Sequence, residues 1–236
     1  MADAGCPGKE RLEPLLYYCH ETAVNAPTDT TSSALARRAM VECQLRPQAV
    51  IDREVLAAMD TVAREKFVPA VHAARAYADR LVPLGGGRFL SPPVVTGRLL
   101  SELEPRAGQR ALVIGSASGY SAALLAYIGL DVTAVDTMDP LVKVPGVNFI
   151  KAPLPGGWPA GAPYDLILID GAVDFVPDAL SDQLAPDGRI GAVLRERGVD
   201  RLVTGRRAGT GFGFRSVMDA EAADVPGFER PQVFTF

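Results

Sequence analysis

Gly115, Ala117 and Gly119 fall inside RALVIGSASGYSAALLA (Arg110–Ala126), between a short apolar run and the start of a helical pattern. Small residues at a strand-to-helix turn let the backbone come close to a ligand. Twenty-one residues beyond Gly115, Asp136 ends a second apolar run, DVTAVD. An acid at that point of a strand–turn–helix–strand unit accepts hydrogen bonds from ribose hydroxyls. The pattern therefore points to an adenosine-containing cofactor. Gly115, Ser116, Ala117, Gly119 and Tyr120 would line the turn, and Asp136 would take the ribose. The plainer reading of the glycines, a tight turn in an α/β protein, stays open on these residues alone.

A dehydrogenase-type turn would need glycine at position 120, where this chain has Tyr120. Glycine at 119 instead gives the Gly-x-Gly-x-Gly rhythm of S-adenosylmethionine-dependent methyltransferases, with Ala117 in the middle place. Asp165 and Asp170 flank the apolar run LILI, which puts Asp170 at the carboxyl end of a central strand. There it would contact cofactor or substrate, or cap the following turn. His20 and His72 lie outside the glycine-turn half, so histidine-based chemistry is not expected, and no Cys, His or carboxylate spacing suggests a metal.

These residues need a scaffold of alternating strands and helices. Strands are predicted at 110–114, 131–135, 147–151, 165–170 and 189–194, with helices at 119–128 and 176–184. Phe212–Met218 and Pro231–Phe236 alternate like a closing antiparallel hairpin. Ahead of them, Ser33–Leu45 and Asp52–Val62 read as helices with Ser33 and Asp52 as caps, and a further helix should run from Pro93 to about Leu103. The fold class is α/β, with a mostly parallel central sheet and an antiparallel C-terminal strand. Residues 1–32, polar after a short apolar patch, are expected to be a weakly ordered extension, with a docked helix near Leu12–Glu21 as the alternative. The domain would be 33–236, divided into a helical substrate-side segment (33–105) and a cofactor-binding core (106–236).

Composition limits the function classes. At 236 residues, 48% apolar and 22% charged, the chain is globular in character. A net charge of −4 without basic runs argues against nucleic-acid partners, and no apolar run approaches the ~20 residues that span a bilayer. An acid- and glycine-containing start, unlike a signal peptide, and three unpaired-looking cysteines (Cys6, Cys19, Cys43) predict a cytoplasmic protein.

The segment before the glycine turn carries further motifs in order. They are MVECQL (40–45), VLAAM (55–59), REKFVP (64–69), AYAD (76–79) and LSPP (90–93). The series resembles the protein-L-isoaspartate O-methyltransferase family over roughly Ala34 to Leu194. That resemblance implies a Rossmann-like class I S-adenosylmethionine-dependent methyltransferase fold. It also implies methyl transfer to the carboxylate of isoaspartyl residues in damaged proteins or peptides, as part of protein repair, by a monomer or weak homodimer. The family's substrate-contacting serine falls on Ser91, whose plain alternative is a helix cap. Tyr120 would open the helix beneath the cofactor, and Asp170 would line the cleft.

The chain departs from the family at the cofactor wall. Val113 replaces the acid before the first glycine, and Ala117 replaces the middle glycine. Only TMDPLVKVPG separates Asp136 from the next strand, where the family has a helix, and Ala152-Pro153 follows that strand in place of an acid. Two or three lost hydrogen bonds at about 1–1.5 kcal/mol each weaken a site roughly a hundredfold. The competing expectation is thus a catalytically weak or inactive binding protein of the same fold.

Overall fold

A computed structural model describes residues 30–209 and 211–230. Strands β1 (Val82–Gly85) and β2 (Arg88–Leu90) form a separate hairpin. Seven strands form the main sheet: β3 (Arg110–Ile114), β4 (Asp131–Asp136), β5 (Val147–Lys151), β6 (Tyr164–Val173), β7 (Leu184–Glu196), β8 (Val199–Ala208) and β9 (Gly211–Asp219). Their order is β5-β4-β3-β6-β7-β8-β9. The first five strands in that order pair in parallel, and β8 and β9 are antiparallel. In the centre, Leu112 of β3 lies opposite Thr133 of β4 and Ile167 of β6.

The chain winds outward from β3 through β4 to β5, then crosses back to lay β6 on β3's other side. That reversal is a topological switch point, and a ligand crevice forms outside the carboxyl ends of the strands there. Gly115 follows β3, Asp136 ends β4 and Asp170 lies within β6, so the fold brings the expected residues to one place.

Alternate strand residues face opposite layers. The helices are α1 (Thr30–Met40), α2 (Arg53–Thr61), α3 (Pro93–Leu103) and α4 (Tyr120–Ile128). Ala111, Val113, Val132, Ala134, Leu166 and Leu168 pack in one core with α2, α3 and α4. The same core takes Met40 at the end of α1, and Val41 and Leu45 of the π-helical turn that extends it. Leu112, Ile114, Val135, Ile167 and Ile169 face the other layer. There Leu154, Leu180 and Phe228 cover them from irregular segments.

Several expectations shift. Asp52 does cap α2, accepting from the Glu54 and Val55 amides, whereas α1 already includes Thr30, so Ser33 lies inside the helix and not at its cap. The helix expected over 176–184 is a 3₁₀ turn, Asp178–Gln183. Pro177 and Pro186 bracket it too closely for a stable α-helix, and Gln183 is committed to the Gly156 carbonyl and Trp158 amide. The antiparallel partner of 211–219 is β8, a strand absent from the expected set. Arg197 and Gly198 both take positive φ and make the two-residue turn into it. Pro231–Phe236 and residues 1–29, including Leu12–Glu21, lie outside the described residues. Segment 137–146 holds no helix, in keeping with the shortened spacing.

Candidate active site

The glycine turn runs Gly115–Gly119 between β3 and α4. Gly115 and Gly119 have φ of 76° and 89°, values glycine adopts freely. Ala117 takes φ 44°, a left-handed conformation unfavourable for a residue with a Cβ. It is held there because its amide donates to Asp136 Oδ2 at 2.7 Å. Ser116 Oγ is buried with no hydrogen-bond partner among the described residues. The Tyr120 side chain turns into the core, edge-on to Phe67 at 5.4 Å and beneath the Arg64 guanidinium at 4.8 Å, so it contributes backbone alone to the turn.

Asp136 is 3% exposed and heavily hydrogen-bonded. Oδ1 accepts from the amides of Thr137 (2.7 Å) and Met138 (3.2 Å) and from Arg88 Nη1 (2.8 Å). Oδ2 accepts from Ala117 N and from Arg88 Nη2 at 3.0 Å. Arg88 Nη2 also donates to the Gly115 carbonyl at 3.1 Å, and the Arg88 side chain is 7% exposed. Sequence reasoning missed Arg88; the available signal was one long charged residue between the Gly85–Gly87 turn and the apolar Phe89-Leu90.

Ser91 follows β2 and is 6% exposed. It does not cap α3: Asp79 Oδ1 accepts the Val94 amide there, while Ser91 Oγ donates to Asp170 Oδ1 at 3.2 Å. Ser121 Oγ donates to Asp170 Oδ2 at 2.6 Å. Ser121 is a second contact the sequence did not single out. Desolvation pushes the Asp170 carboxyl above its ordinary range, although both serine hydroxyls and the nearby Arg88 and Arg64 charges pull the other way. Behind Ser91, Arg64 is fully buried, donating to the carbonyls of Ala76 (2.6 Å) and Ser91. Burial lowers its pKa from the ordinary arginine value.

Ser91, Asp170, Asp136 and the glycine turn therefore meet at the switch point. Strand, left-handed glycines, helix and terminal acid follow the course of a nucleoside-binding unit, and the unpartnered Ser116 hydroxyl suits a ligand. The conformation does not fit a cofactor at two places. Arg88 occupies both oxygens of Asp136, the acid expected to take a ribose. The space above the glycines is filled by the chain itself: a Cβ at Gly119 would meet the Val142 carbonyl at 3.0 Å, and one at Gly115 would meet Val225 at 3.0 Å. Among the described residues, no group of three or more His, Cys, Asp and Glu side chains is placed to hold a metal, and no helix is long and apolar enough to cross a membrane.

A mostly parallel sheet of this strand order, with a glycine turn after its first strand and an acid at the end of its second, defines a Rossmann-like fold of the methyltransferase class. The family model for protein-L-isoaspartate (D-aspartate) O-methyltransferase matches residues 36–211, and the chain belongs to that family. The protein-L-isoaspartate O-methyltransferase of Methylorubrum populi is 38% identical over 164 residues, covering 66% of this chain and 77% of its own. That of Methanoculleus marisnigri is 36% identical over 177 residues, covering 71% and 80%. A Plasmodium falciparum protein assigned the same activity was solved in complex with S-adenosyl-L-homocysteine. It superposes with a TM-score of 0.67 at 19% identity, covering 79% of this chain and 96% of its own, and supports the fold.

Proposed function

We infer that this chain is an S-adenosylmethionine-dependent carboxyl methyltransferase acting on L-isoaspartyl residues of damaged proteins. The family match across residues 36–211 carries the reading, and it favours methyl transfer over a non-catalytic binding role. Bound S-adenosylmethionine supplies the methyl group. The acceptor is a carboxylate already ionised near neutral pH, so no general base is needed. What the protein must provide is orientation and exclusion of water. Ser91 is proposed to hold the acceptor carboxylate. Support comes from its place at the switch point, its hydroxyl turned to the cleft-side Asp170, and a backbone fixed from behind by Arg64. Gly115, Ser116, Ala117, Gly119, Tyr120 and Asp136 are proposed to contribute to the cofactor side, and Asp170 to the wall between the two. The setting is proposed to be cytoplasmic, with isoaspartyl proteins or peptides as partners and a monomer or weak homodimer as the working form.

Methylation of an isoaspartyl peptide, compared between wild type and Ser91→Ala, tests the reading. Losing one hydrogen bond to a charged acceptor should lower kcat/KM by about tenfold to a hundredfold and leave S-adenosylhomocysteine affinity unchanged. Full activity in the variant would remove Ser91 from the mechanism. No methylation by folded wild type would sink the assignment of acceptor.

A further inference from the structure

We propose that Arg88 is an internal competitor for the cofactor's ribose, and that its ion pair with Asp136 weakens the binding of the cofactor. The proposal rests on the cofactor reading above and concerns a residue that reading does not use.

Asp136 has about four lone-pair positions on its two oxygens, and three backbone amides together with two guanidinium nitrogens already fill them. Three backbone amides, of Ala117, Thr137 and Met138, are fixed by the course of the chain. The Arg88 guanidinium takes one more position on each oxygen, at 2.8 and 3.0 Å. A ribose diol needs an acceptor of the same kind, so diol and guanidinium exclude one another. The pair is nearly dry, and a dry bidentate Arg–carboxylate contact is well above the strength of a surface ion pair. Binding must therefore displace a contact that an open site would lack, and affinity falls by the fraction of time the site stands closed.

The arginine also has a way to leave. It opens β2, immediately after Gly85, Gly86 and Gly87, all at positive φ, and a Cβ added at any of the three would meet nothing within 4 Å. The β1–β2 hairpin is a two-stranded unit outside the seven-stranded sheet. Its base is anchored by buried Val82, Leu84 and Leu90, while the glycine tip is exposed. Displacement of Arg88 therefore moves a glycine tip and one side chain and leaves the sheet as it is. The three amides on Asp136 keep its carboxylate solvated when the guanidinium goes.

The test is calorimetric titration of S-adenosylhomocysteine into full-length wild type, Arg88→Ala, Arg88→Gln and Asp136→Ala, each checked for a cooperative thermal transition. Arg88→Gln keeps reach and a donor without the charge, and serves if the alanine variant does not fold. The expected result is affinity about tenfold or more tighter in the Arg88 variants and lost in Asp136→Ala. Unchanged affinity in the Arg88 variants, with loss in Asp136→Ala, would overturn the competitor role and leave the cofactor reading standing. Weaker binding in the Arg88 variants would make Arg88 a cofactor ligand and overturn it likewise. Absence of binding in every folded protein, wild type included, would bring down the cofactor reading and this proposal with it.

Discussion

Arg64 and Arg88 are both buried, both lie near Asp170, and they are held in opposite ways. Arg64 donates to two backbone carbonyls and lies over the Tyr120 ring, with no carboxylate hydrogen-bonded to it among the described residues. Arg88 is locked to a carboxylate at the end of β4 and to a carbonyl of the glycine turn. The first ties together three segments that precede the main sheet: the Arg64–Phe67 turn, the Ala76 region and Ser91. The second closes a position that a ligand would otherwise use. A guanidinium spent on backbone is part of the framework. One spent on an acid at a switch point is a removable occupant, because the acid keeps its amide donors without it.

Arg64→Ala should therefore show the largest effect. It leaves two buried carbonyls unbonded and a hole beside Tyr120, and should lower stability by about 3–5 kcal/mol in chemical denaturation. A loss under about 1 kcal/mol would mean that water replaces the guanidinium and that the two arginines differ less than their contacts suggest. Stability should distinguish them: Arg88→Ala is expected to lose clearly less than Arg64→Ala, and equal losses would erase the contrast.

Asp170 lies between the two and offers a pH signature. Its folded-state pKa is raised above the ordinary 3.8, chiefly by desolvation, so folding favours the protonated carboxyl. The group's contribution is fully present below the ordinary value of 3.8 and is lost as pH rises through the raised folded value. Asp170→Asn, which cannot ionise, should thus gain stability relative to wild type as pH rises toward neutral, and that relative gain should shrink as pH falls. Denaturation midpoints of both proteins across the acid range would reveal a constant gap if Asp170 were fully solvated.

The smallest effect concerns the turn. Ala117 bears the strain of a left-handed φ, and glycine would remove it while adding freedom to the unfolded chain. Ala117→Gly should stabilise the protein by about 0.5 kcal/mol, read as a higher thermal midpoint. Destabilisation instead would show that the Ala117 methyl is worth more in packing than its backbone conformation costs.

Much of the scaffold was legible. The runs at 110–114, 131–135 and 147–151 read as strands because each is short, largely apolar and bounded by turn residues. Asp52 read as a cap because a short carboxylate reaching the next amides is local chemistry. The segment at 176–184 misled because an apolar–polar alternation short enough for either helix type carries no information on what Gln183 must bond across the chain. β8 was hidden because charged residues dominate its ends, where half its surface faces outward, and its pairing depends on a two-residue turn at Arg197-Gly198. Arg88 was hidden for a different reason: its partner lies 48 residues away, and nothing local distinguishes it from an exposed hairpin arginine.

Local pattern thus settled the class of fold, the position of the glycine turn and the likeness to one enzyme family, because strand length, turn chemistry and ordered motifs are properties of neighbouring residues. Tertiary structure settled which atoms reach one another. It placed Ser91 against Asp170, set Arg64 behind them, and brought Arg88 from a separate hairpin onto Asp136. Hydrogen-bond capacity is shared among whatever groups the fold brings within about 3 Å, and that sharing cannot be read until the chain has closed on itself.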